Sequence, residues 1–149
     1  MATQSSSVLK MLQEISAKEV DMAAEALAKA MKLSFEAKTK QDLLFEYRQD
    51  YEKSLNKILE SGMGAESYQN FHHFFGKLDQ AIAGQQEVVA LADQQLKVHK
   101  QLWQESQRKK LSYDVLLERS DKRVVKIELK KDQKMMDEFA MRMTRTRHS

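Results

Sequence analysis

From Tyr68 onward, alternate steps of three and four residues land on Phe71, Phe75, Leu78, Ile82, Gln85, Val89, Ala92, Leu96, His99, Trp103, Ser106, Lys110, Tyr113, Leu117, Ser120, Val124 and Ile127. Thirteen of these eighteen positions are apolar. A 3.5-residue repeat held over so many heptads predicts a left-handed supercoil instead of an ordinary amphipathic helix. Upstream the pattern is looser. One heptad position reads Leu9, Ser16, Ala23, Ala30, Ala37, Leu44, Tyr51 and Ile58, seven apolar of eight, but its companion reads Gln13, Val20, Leu27, Ser34, Gln41, Arg48 and Leu55, only three of seven.

The one convincing break between the two patterns is Glu60-Ser-Gly-Met-Gly-Ala-Glu-Ser67. Gly62 suits the left-handed residue that ends a helix, and Ser67 suits the cap of the next. The chain thus reads as a single elongated coiled-coil domain over residues 1–149: helix 1 about 7–60, a turn about 61–67, helix 2 about 68–142, and a basic tail at 143–149. A short turn makes the helices antiparallel, and centring it near Met63 and Gly64 pairs residues whose numbers sum to about 127. Tyr51 then faces Phe75, Leu44 faces Ile82, and Ala23 faces Trp103, large against small. On this register helix 1 runs out opposite residue 120 or so. The paired part is about 80 Å long, followed by an overhang of about 30 Å or more.

Composition points the same way. With no proline, four glycines, and Ala, Glu, Lys, Leu and Arg making up 68 of 149 residues, the expectation is an all-α fold. No cysteine means no disulfide, thiolate nucleophile or Cys-based metal site. Apolar stretches are too short to span a bilayer, and the N-terminal sequence has no leader pattern, so a soluble, cytoplasmic protein without direct membrane insertion is expected. The net charge of +3 comes from 25 basic and 22 acidic residues that are interleaved, as on a solvated helix surface. A nucleic-acid partner is therefore not expected. Gly76 and Gly84 fall inside periodic sequence and read as packing or partner-contact positions.

No catalytic constellation emerges. Phosphate-loop and HExxH patterns are missing, and the adjacent His72 and His73 point to different sides of a helix. His99 sits alone on the seam, where a polar residue fixes register, as do Gln85, Ser106, Lys110 and Ser120. A two-helix hairpin offers no cleft that would desolvate paired carboxylates, so neither an enzyme nor a bound metal or cofactor is expected.

Two regions draw attention as contact sites. The overhang holds Val124, Val125, Ile127, Leu129, Met135, Met136, Phe139, Met141 and Met143 with no intramolecular partner left. Methionine suits adaptable binding surfaces, and exposed apolar groups rimmed by charge mark interaction sites. A frayed tail, or packing onto a second copy, is the plain alternative. At the turn end Phe74 flanks the seam and heads an edge stripe of Phe74, Leu78, Ala81 and Gln85; it is either an exposed anchor or packs across the turn onto Leu59 or Met63.

The run Asp132-Gln-Lys-Met-Met-Asp-Glu-Phe-Ala-Met-Arg142 resembles the DQKxMDEFA segment of the FliJ family of the bacterial flagellar type III export apparatus. Tyr47-Arg-Gln-Asp-Tyr51 and the segment from Tyr68 to Ile82 agree with it, and the resemblance spans essentially the whole chain. It implies a cytoplasmic antiparallel coiled coil similar to the central stalk subunit of rotary ATP synthases, peripherally associated with the inner-membrane base of the flagellum. The implied partners are the hexameric flagellar export ATPase, the cytoplasmic part of the membrane export gate, and export chaperones. By position, the ATPase-ring contact would be Gln133, Met136, Asp137, Phe139 and Arg142, and the export-gate contact Phe74, Leu78, Ala81 and Gln85. The role so implied is to activate the ATPase and couple it to the gate. The alternatives are a stalk protein of non-flagellar type III secretion or a general coiled-coil adaptor or chaperone.

Overall fold

The computed structural model describes residues 2–147, with side chains from residue 6. Its fold is an all-α hairpin of two helices, α1 at Ala2–Glu60 and α2 at Ala65–Arg147, packed against each other. Gly62 sits at φ 90°, the left-handed conformation that closes a helix without a Cβ penalty. Its amide donates to the Leu59 carbonyl at 3.3 Å, and the Ser61 hydroxyl donates to the Lys57 and Ile58 carbonyls. Three of the last turn's four orphan acceptors, Lys57, Ile58 and Leu59, thereby gain a donor. Ser67 is not the cap of α2. Gly64 takes that place, its carbonyl accepting the Tyr68 amide at 3.1 Å, and Glu66 supplies the first turn's negative charge.

The chain forms two compact units. One is Ala23–Trp103, and the other joins the chain up to Met22 with the chain from Gln104 onward. In Ala23–Trp103 the core is Ala30, Ala37, Leu78 and Ile82 together with the buried Ser34. The buried α1 positions Ala30 and Ala37 are small, which lets the facing helix approach closely. A fully buried Leu or Ile of this kind contributes about 1.5–3 kcal/mol. Among the described residues of the other unit the buried side chains are Ser16 and Leu117, and the Ser16 hydroxyl donates back to the Gln13 carbonyl at 2.9 Å.

Three polar members of α1's weaker heptad position, Gln13, Ser34 and Arg48, have partners. Ser34 donates to Asp93 at 2.9 Å and Arg48 to Asp79 at 2.7 Å in the Ala23–Trp103 unit; Gln13 donates to Asp114 at 2.6 Å in the other. The residue numbers of each pair add to 127, the register that the turn position predicts. A slip along either helix separates these groups, so they fix alignment. Exposed pairs such as Arg48 with Asp79 add little stability. Their yield is specificity of register.

Along α2 the seam positions from Phe71 to Val124 are all buried or half-buried, and the only other covered side chains are Phe74, Asp93 and Asp114. From residue 125 to 147 every side chain is exposed.

Candidate protein-contact surfaces

The uncovered stretch is not a continuation of the seam. Carried past Ile127 in steps of four and three, the seam meets Lys131, Lys134, Glu138, Met141 and Arg145, four of them charged. Val125, Leu129, Met136, Phe139 and Met143, spaced by 4, 7, 3 and 4, instead form a new apolar stripe. On an ideal helix they fall within about 40° of one line, roughly 125° around from the seam. Met136 and Phe139 are 71% and 65% exposed. The remaining apolar residues of this stretch, Ile127, Met135, Ala140 and Met141, lie off this line.

Of the five residues expected at the ATPase ring, Met136 and Phe139 thus share the stripe. Gln133 and Asp137 flank it on one side and Arg142 on the other. Phe139, Arg142 and Met143 line one shallow depression with Arg145 and Thr146.

The second region, at the turn end, is an aromatic cluster. Phe74 is half-buried, with its ring centroid 4.3 Å from Tyr51 and 6.4 Å from Tyr47, so these tyrosines of α1 are partners that the sequence did not name. Tyr51 also meets Phe71 at 5.2 Å and Phe75 at 5.5 Å, and the Arg48 guanidinium lies 5.6 Å over the Phe75 ring. Asp79 hydrogen-bonds that guanidinium and holds its proton more tightly than usual.

The structure places the other edge-stripe residues differently from one another. Leu78 is in the core, Ala81 is exposed, and Gln85 is half-buried with its amide donating to the Ala37 carbonyl at 2.9 Å. The exposed part of this edge is therefore Ala81 and part of Phe74, joined by α1 residues that reading α2 alone does not find. Lys40, Leu43, Leu44 and Tyr47 line, with Gln85, a groove of about 400 Å³. Tyr47 and Phe74 are flanking positions of their two heptads, and residues flanking facing seams on the same side are neighbours in an antiparallel pair. That rule is the signal that finds Tyr47.

Among the described residues, no group of three or more His, Asp or Glu is arranged to hold a metal ion, and no helix is long and apolar enough to cross a membrane. What the fold presents is an all-α helical hairpin with two kinds of exposed apolar surface, one on a single helix and one between helices. The chain belongs to the FliJ family: the family model described as "Flagellar FliJ protein" matches residues 5–149. The flagellar FliJ proteins of Escherichia coli (strain K12) and Salmonella typhi are similar to it, each 27% identical over 134 residues, covering 90% of this chain and 91% of the relative.

Proposed function

We propose that this protein is a component of flagellar type III protein export that binds and activates the hexameric export ATPase. It couples that ATPase to the cytoplasmic part of the membrane export gate, acting in the cytoplasm at the inner-membrane base of the flagellum, with export chaperones as further partners. Family membership supports the setting. The observation that carries the ATPase contact is the change of apolar face at residue 125, which leaves Met136 and Phe139 on a stripe that none of the described residues covers. A helix that had merely outgrown its partner would keep its apolar residues on the seam.

The role is one of coupling. A single helical stripe entering a six-fold ring touches some subunits and not others, and it favours the subunit conformation it binds more tightly. Differential affinity of this kind is the requirement for any allosteric activator. Gln133, Asp137 and Arg142, on the stripe's flanks, would set orientation through polar contacts. For the gate, the contact is Phe74 and Ala81, held in place by the buried Leu78 and by Gln85, whose bond to the Ala37 carbonyl locks its side chain.

Hydrolysis by the purified partner ATPase, followed with and without this protein, tests the reading. Stimulation that disappears in the Met136→Asp, Phe139→Asp double variant is expected; no stimulation by the native chain, or full stimulation by the double variant, overturns the ATPase contact. For the gate, Ala81→Arg and Phe74→Ala should each abolish pull-down of the gate's cytoplasmic domain with helicity unchanged, and undiminished pull-down removes that contact.

A further inference from the structure

The two edges of the seam in Ala23–Trp103 are not alike. One is polar and closed: Lys38 pairs with Asp93 at 3.2 Å, Arg48 with Asp79 at 2.7 Å, and Ser34 donates to Asp93. The other is apolar and open. There Ala26, Leu33, Val88, Leu91 and Gln95 wall a groove of about 510 Å³, whose floor includes the buried Ala30. Leu33, Val88 and Leu91 remain 61%, 48% and 62% exposed, although Leu33 and Val88 sit at seam-flanking positions where a coiled coil ordinarily carries charge.

Gly84 lies on the same face of α2, one turn from Val88, between Ala81 and Leu91. A Cβ built on it meets nothing within 4 Å, so packing within this chain does not explain a mid-helix glycine that costs about 1 kcal/mol against alanine. A glycine beside an apolar groove lets a second backbone approach closely. The charges that line this groove and the neighbouring one at Leu44 and Tyr47 are Lys29 and Lys40, and neither has an ion-pair partner among the described residues.

We infer that the groove between Leu33 of α1 and Leu91 of α2 receives a third helix, an amphipathic segment of another protein with acidic residues flanking its apolar face. Three facing apolar helices are the ordinary completion of such an edge. Lys29 and Lys40 select the acidic flank. A second copy's uncovered stretch does not match: residues 125–147 carry seven Lys and Arg against four Asp and Glu, the same sign as the groove's rim. The groove continues the edge that carries the gate contact proposed above, but its walls Ala26, Leu33 and Leu91 are no part of that contact.

The test uses the full chain and three fluorescent peptides: a leucine-heptad helix of about 21 residues with Glu flanks, the same helix with Lys flanks, and this protein's own residues 125–147. Anisotropy titration is expected to rank the Glu-flanked peptide about tenfold or more above the others. Leu33→Asp and Leu91→Asp, both at exposed side chains, should abolish its binding with unchanged circular dichroism. Lys29→Glu with Lys40→Glu should transfer preference to the Lys-flanked peptide. Equal binding of both flanked peptides, binding indifferent to Leu33→Asp and Leu91→Asp, preference for the 125–147 peptide, or a dimer of the native chain that Leu33→Asp dissociates would each overturn the proposal.

Discussion

Within one compact unit, α2 displays the same residue types in two opposite arrangements. Over residues 104–124 its covered side chains are the seam positions Ser106, Lys110, Tyr113, Leu117, Ser120 and Val124 with the adjoining Asp114, and the outward Glu118 and Lys122 pair with each other at 3.2 Å. Over 125–147 the seam line turns charged, and the apolar line moves to Val125, Leu129, Met136, Phe139 and Met143. Hydrophobicity is present in both. What differs is whether the chain itself supplies the covering surface, and the switch of face is the observation on which the proposed contact with another neighbour rests.

Substitutions break this comparison in order of effect. Met136→Asp with Phe139→Asp changes side chains that are mostly exposed, so stability should move by no more than about 0.5 kcal/mol, while stimulation of the partner ATPase falls to background. Thermal melts beside hydrolysis assays read both at once. Leu117→Ala should do the reverse: it opens a cavity under α1 and destabilises by about 2–5 kcal/mol, seen as a lower urea midpoint, with stimulation intact at temperatures where the variant is folded.

Ser34→Ala comes next. It removes a hydrogen bond from a buried hydroxyl, and its shift of the urea midpoint should be roughly half that of Leu117→Ala or less. The smallest effect is electrostatic. The Ser34 hydroxyl, and after it Lys38, hold the Asp93 carboxyl below its ordinary value of 3.8. Because the folded value is the lower one, the unfolded chain takes up the proton first on acidification, so the stabilisation is present above 3.8 and lost as pH falls through the folded value. Asp93→Asn should therefore lower the urea midpoint at neutral pH, and that deficit should vanish on acidification below 3.8; a deficit independent of pH would remove the charge from the account.

Much of this was legible in the residues because one physical rule, apolar contact every 3.5 residues, operates along most of α2. The turn at Gly62 announced itself through the only conformation that demands glycine, and the pairing of Arg48 with Asp79 follows from its position. The weak heptad line of α1 was harder to interpret: Gln13, Ser34 and Arg48 look like defects until the aspartates opposite them are seen. Tyr47 was hidden for a related reason, since it acquires meaning only beside Phe74 of the other helix. At the candidate contact site, Met136 and Phe139 stood out among the unpartnered apolar residues, and only the partner expected for them came from the resemblance. The stripe they share with Val125, Leu129 and Met143 did not stand out, because a single heptad line followed through residue 127 leaves the outward face unread.

Hydrogen exchange over residues 125–147, in the free protein and with the partner ATPase, tests the central claim most directly. With no packing to support it, this part of α2 should exchange far faster than residues 71–124 when the protein is free. It should become strongly protected on addition of the ATPase, with amides around Met136 and Phe139 slowed most. Exchange over 125–147 that stays unchanged, while protection appears only elsewhere on the chain, would contradict the account.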